Sequence, residues 1–210
     1  MITFSGTRIE PSTKFDGAYL GTPTLTDIAL GLSRMPRFGG QTRRWWSVLL
    51  HSLVCYELAG DSMGTEKQLL LCLLHDGHEA ITADVPAFFK SPHLKEWQNE
   101  IDERFFYSLG LLPVSKEDTE FVKMIDTLAL RAEAELLGPP TIMQHIAIGP
   151  TVCLNVVRNI MQEYPDAKSS EGLESPAVKR FFDCFSEVFR EATGSVSDDT
   201  PNNQPTLVEK

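Results

Sequence analysis

Between Leu69 and Pro86 the chain reads LLLCLLHDGHEAITADVP. A wholly apolar run ends abruptly in His75, Asp76, His78 and Glu79, with Asp84 shortly after. Burying ionisable groups is costly unless they are paired or bound to a metal. His75 and Asp76 offer one imidazole nitrogen and one carboxylate from a single helical turn. Glu79 stands at i+4 from His75 and i+3 from Asp76, so a continuous helix would turn all three to one face. This is the pattern of a buried helix whose end bears ligands, with a carboxylate beside them for proton transfer.

The elements that must position these residues read as helices. Leu25, Ile28, Leu32 and Met35 share one face of a helix over 24–35, capped by Thr24 with Asp27 and ended by Pro36. A loop with three arginines follows, Arg37-Phe38-Gly39-Gly40-Gln41-Thr42-Arg43-Arg44, and leads through Trp45-Trp46 into a second helix over 47–59. His51 lies inside that helix among apolar residues, VLLHSLVCYEL. A third helix starts at Thr65 and runs into the His-Asp stretch. Pro86 and Pro92 bracket a short segment with Phe88, Phe89 and Lys90, and residues 93–109 are amphipathic. A helix over 115–137 opens on Ser115 and Asp118 as a capping box and carries Asp126 between apolar neighbours. Two further helices are expected over 151–164 and 177–192. The alternation of Ile2 and Phe4 before Gly6 allows a short N-terminal hairpin. From 193 onward the composition turns polar, which reads as a disordered tail. The expectation is one all-α domain over 1–192 followed by the tail 193–210.

Composition narrows the function. The formal net charge is −10 and the pI about 5.0, which argues against a nucleic-acid polymer as ligand but leaves room for a nucleotide. No apolar run approaches a membrane span, so no membrane partner is expected. The first residues lack the basic start and apolar core of a signal peptide, so a cytoplasmic setting is expected. Cys55, Cys72, Cys153 and Cys184 each sit among apolar neighbours and read as small buried hydrophobes.

Each polar residue inside these helices has an ordinary explanation when taken alone. A single buried histidine is more often a hydrogen-bonded core residue than a ligand, and Asp126 alone would pair with an arginine such as Arg131. Together, His51, His75, Asp76 and Asp126 form H…HD…D from three helices. Two imidazoles and two carboxylates suit one divalent ion of Mn, Fe, Co, Ni or Zn, with Mg also admissible, better than Ca. Such an ion lowers the pKa of a bound water and polarises a phosphoryl group.

In this order the residues resemble the metal-binding pattern of the HD-domain phosphohydrolases. Within them the likeness is to the bacterial 5'-deoxynucleotidases and their phage-encoded relatives, which include dATP triphosphohydrolases. The matching pieces are Arg37-Phe38, Ser47-Val48…His51-Ser52, His75-Asp76-Gly77-His78-Glu79…Asp84-Val85-Pro86 and Asp126. Thr3-Phe4-Ser5-Gly6 and Arg37 to Gly40 are similar to the phage branch. The resemblance implies an HD-type helical bundle that hydrolyses nucleotides at the phosphate nearest the sugar and assembles as a homo-oligomer. It implies His51, His75, Asp76 and Asp126 as metal ligands, Glu79 as general acid/base, and Asp84 beside the site or at the sugar hydroxyl. It implies Arg37 on phosphate, Phe38 against deoxyribose, and Lys90 as a further phosphate group. His78 reads as an additional acid or, preferably, an exposed side chain. Arg43, Arg44, Trp45 and Trp46 read either as a base pocket or as a packing cluster at a helix start. Two positions depart from the pattern. Leu50 stands where the relatives often carry Glu or Gln, which removes a polar partner for the first ligand, and Phe38 stands where the bacterial enzymes resemble Arg-Trp.

Overall fold

The computed structural model describes residues 1–9, 21–138, 150–165 and 169–192. Its helices are α1 (Leu25–Arg34), α2 (Val48–Asp61), α3 (Glu66–Leu74), the single turn α4 (Glu79–Thr82), α5 (Pro92–Ser108), α6 (Lys116–Leu137), α7 (Thr151–Glu163) and α8 (Pro176–Ala192). The all-α class expected from the sequence is therefore observed. The tail at 193–210 lies outside the described residues. No described helix is long and apolar enough to cross a membrane.

Local chemistry accounts for the helix starts. Thr24, Thr65 and Ser115 each cap a helix through a side-chain oxygen, and Asp27, Gln68 and Asp118 return the bond in capping boxes. Ser47 caps α2 by accepting from the Leu50 amide at 3.2 Å. α2 is the centre of the bundle because it is apolar on every side: Glu57, Gly60 and Asp61 alone along it escape burial. It packs on α1, α3, α6, α7 and α8. The phenylalanine-rich face of α8 is core, with Phe181 and Val188 buried and Phe182, Phe185 and Phe189 packed against the same cluster.

Two expectations change. Strand-type pairing among the described residues is confined to isolated bridges, Ile2 with Arg8 and Pro36 with Ser47, so the N-terminal hairpin is one tight turn rather than a pair of strands. That turn is anchored by Asp27, whose carboxylate accepts from the Ser5 amide at 2.8 Å and the Ser5 hydroxyl at 2.7 Å. Burial opposes the charge on Asp27, but these bonds and those from Thr24 hold it down at about 2. The third helix does not continue through the His-Asp stretch. It ends at Leu74, and Gly77 and Glu79 close successive turns onto Leu74 and Asp76 before α4 begins. α4 is seated by close approach to α1, where a Cβ on Gly31 would lie 2.5 Å from that of Ala80. Only glycine allows that contact, and it fixes the residue next to Glu79.

Candidate metal centre

α2, the end of α3 and α6 meet at one point, and there the chain delivers His51, His75, Asp76 and Asp126. Nε2 of His51 lies 3.3 Å from Nε2 of His75, 3.6 Å from Asp76 Oδ2 and 3.2 Å from Asp126 Oδ1. Nε2 of His75 lies 3.3 Å from Asp76 Oδ2 and 3.9 Å from Asp126 Oδ1. Ligands at about 2.0–2.2 Å from one tetrahedral ion stand about 3.4 Å apart, so these spacings fit a single metal.

Protonation supports the same conclusion. Nδ1 of His51 faces both oxygens of Glu133, at 3.0 and 3.1 Å, and Nδ1 of His75 faces the Cys72 carbonyl at 2.9 Å. A carboxylate and a carbonyl only accept, so both Nδ1 atoms carry the hydrogen. Both Nε2 atoms then turn lone pairs toward each other and toward two carboxylates. Such a cluster needs a proton or a cation at its centre. Without metal the site draws protons: burial works against charged histidine, but Asp76 and Asp126 push His75 up to about 10, and Glu133 and Asp126 raise His51. The histidines in turn hold Asp76 well below the usual carboxylate range and Asp126 at about 2. Cys55 Sγ is 3.5 Å from His51 Nε2, within reach of the same point. Burial, then Asp126 and Glu133, raise its thiol well above the ordinary value, so it stays protonated in this electrostatic setting.

The other expected residues gather around this cluster. Arg37 is buried rather than presented to open solvent. Its Nε donates to Glu133 Oε2 at 2.9 Å, and its terminal nitrogens lie 3.5 Å from Asp76 Oδ2 and 3.5 Å from Asp126 Oδ1. Asp126 thus has Arg37 beside it as its arginine. The Arg37 amide bonds the Trp46 carbonyl and the Val48 amide bonds Met35, which ties the arginine loop to the start of α2. Phe38 lies beneath the guanidinium, 5.4 Å from its carbon to the ring centre, with φ +56°. Glu79 is buried. Burial first, and then Asp76 and Asp84, push its carboxyl up to about 9 against the opposing charges of Lys90 and Arg37. Lys90 Nζ stands 3.6 Å from Glu79 Oε1, so this lysine turns inward. Asp84 follows Ala83, whose φ of +69° is strained for a residue with a side chain and marks a sharp change of chain direction. A cavity of about 290 Å³ opens beside His75 and Asp126, walled by Leu71, Phe106, Val114 and Val122 with Thr119 and Lys123 at its edge.

One position differs from the preferred sequence reading, and two settle between the readings left open. His78 is not exposed: its Nδ1 lies 2.8 Å from Asp102 Oδ2. Arg44 and Trp46 take the packing role, the second of the two readings left open for them. Arg44 donates to the carbonyls of Met161, Tyr164 and Pro165 at the end of α7, and Trp46 Nε1 donates to Glu133 at 3.0 Å. Glu133 itself was missed. It sits two helical turns after Asp126, on the same face of α6, and that spacing was the available signal.

No protein-family model matches the chain. It is 33% identical over 116 residues to the uncharacterized protein YfdR of Escherichia coli (strain K12), a match that covers 54% of this chain and 61% of that relative. In structure it is similar to a cyanophage S-2L HD phosphohydrolase (DatZ), solved bound to dA and one catalytic Zn2+ ion. That likeness covers 81% of this chain and 99% of the phage protein, with a TM-score of 0.48 and 20% identity.

Ligation needs both Nε2 lone pairs, and His75 carries a proton at neutral pH when no metal is bound. Metal binding is therefore expected to release protons, and affinity is expected to rise as pH increases through neutrality. Mn2+ titration calorimetry in buffers of different ionisation enthalpy checks the proton count, and a pH-independent affinity contradicts the site's electrostatics. Glu133→Ala leaves Arg37 and His51 buried without their shared carboxylate and is expected to cost about 3–5 kcal/mol of stability. Urea unfolding measures it, and a loss under about 1 kcal/mol, the scale of an exposed ion pair, contradicts the role given to Glu133.

Proposed function

We propose that the chain is a divalent-metal-dependent phosphohydrolase of the HD type. Its substrate is a deoxynucleoside 5'-monophosphate, cut at the phosphate nearest the sugar to give deoxynucleoside and phosphate. The observation that carries this reading is the four-donor cluster of His51, His75, Asp76 and Asp126, whose spacings suit one transition-metal ion. An ion bound there supplies Lewis acidity toward phosphoryl oxygen and acidifies a water.

The remaining roles belong to the chain's own groups. Arg37, braced by Glu133, turns its terminal nitrogens toward the cluster, where a planar fork suits phosphoryl oxygens. Glu79 keeps a proton at neutral pH and delivers it to the departing sugar oxygen, with Lys90 and Asp84 adjusting its charge. Phe38 packs against the deoxyribose. The cavity beside His75 and Asp126 has apolar walls that suit a nucleobase. A homo-oligomeric assembly and a cytoplasmic setting go with this reading.

The test is product analysis. Each deoxynucleoside mono- and triphosphate is incubated with the protein and Mn2+ or Co2+, and again with chelator, and the products are resolved chromatographically. Deoxynucleoside and phosphate from the monophosphates are expected, abolished by chelator and by Asp126→Ala at unchanged helical circular dichroism. Deoxynucleoside plus intact triphosphate from the triphosphates, with the monophosphates untouched, replaces the monophosphate substrate. No turnover with any metal contradicts the hydrolase reading.

A further inference from the structure

α6 buries one face in the bundle, through Ile125, Ala129 and Glu133, and turns another away from it. Glu120, Lys123, Met124, Thr127, Leu128 and Arg131 line an open concavity of about 340 Å³ on that outer side. Their positions run i, i+3, i+4, i+7, i+8 and i+11, one stripe along the helix with the spacing of a helix–helix seam. Met124, in its middle, is 46% exposed. Arg131 at its end is the arginine that the sequence offered to Asp126. Asp126 has Arg37 instead, and Arg131 has no ion-pair partner among the described residues.

The order of charges along the stripe says what covers it. Turned end for end, the stripe is its own complement. Glu120 meets Arg131 of a second copy and Arg131 meets its Glu120, while Met124 lies against Thr127. Lys123 lies against Leu128, which its methylene stem covers. One turn further out the sign exchange repeats, Lys116 against Glu135. Opposite charges equally far from a midpoint are what a two-fold axis requires. A parallel pairing would set Glu120 on Glu120 and Arg131 on Arg131.

We propose that two copies of this chain pair through the outer face of α6, with the two helices antiparallel about a two-fold axis. This gives a surface to the homo-oligomeric assembly and rests on that part of the proposed reading alone. Lys123 also edges the cavity beside His75 and Asp126, so the pairing sets the second copy along the rim of each site. One helix pair is a small interface, so the dimer is expected to dissociate in the micromolar range.

The test is sedimentation equilibrium of the full chain, with circular dichroism to show that each variant stays helical. Glu120→Arg and Arg131→Glu each turn two attractive contacts into two repulsive ones and are expected to weaken the dimer by about tenfold or more. The double variant Glu120→Arg/Arg131→Glu exchanges the charges and is expected to restore it. Met124→Lys puts a charge at the middle of the seam, at a position exposed enough for the monomer to carry it, and is expected to dissociate the dimer as well. A chain that stays monomeric well above micromolar concentration overturns the α6 pairing. So do folded single variants that dimerise unchanged, or a folded double variant that does not recover. Any of these results alongside metal-dependent turnover of nucleotide overturns the interface and leaves the hydrolase standing.

Discussion

A carboxylate with no solvent exposure must find its counter-charges inside the protein, and Glu133 finds three donors. One oxygen accepts from Trp46, the other from Arg37, and the two together face Nδ1 of His51. These residues come from α6, the arginine loop and α2, so one buried anion holds together the segments that build the site. Desolvating the four groups is expensive, and the exchange is favourable only while every donor is in place. That dependence ties the stability of the bundle centre to the orientation of the first histidine.

The same interaction sets the charge of the cluster. Asp76, Asp126 and Glu133 stay ionised, and Arg37 balances one of the three. Two negative charges remain, which a divalent ion neutralises and which protons on the histidines neutralise in its place. Arg37 can hold this position because its loop accepts an awkward backbone: Phe38, Gly39 and Gly40 follow with φ of +56°, +60° and +74°. The glycines adopt that conformation freely, whereas Phe38 is strained in it. The strain seats the guanidinium between the carboxylates and leaves the ring beneath it.

Most of the helical skeleton was legible in the sequence because the signals are local: a capping residue, an apolar period and a proline or glycine at the end. The break after Leu74 was not. LLLCLLHDGHEAIT keeps helical spacing throughout, and only the turn geometry of residues 75–78 separates α3 from α4. The consequence is that Glu79 opens α4 instead of continuing α3 past His75 and Asp76. His51, His75, Asp76 and Asp126 were legible as polar residues in apolar helices, an arrangement that needs a reason. Glu133 and Cys55 gave a weaker signal. One stands in a run that alternates alanine with glutamate, as an exposed face would, and the other is the kind of residue that cores routinely bury. Asp102 was hidden for another reason: it meets His78 across twenty-four positions of chain. Leu50, which lacks the polar side chain often found before the first histidine, needs no substitute nearby because Glu133 reaches His51 from α6.

The central claim is that one divalent ion is held by two imidazoles and two carboxylates. X-ray absorption at the metal edge of the protein carrying one Zn2+ per chain tests it most directly. The account predicts a first shell of nitrogen and oxygen alone at about 2.0–2.2 Å, with the outer-shell scattering of two imidazole rings. A sulfur scatterer at about 2.3 Å would bring Cys55 into the shell and displace one of the four donors. A shell without imidazole scattering would contradict the account outright.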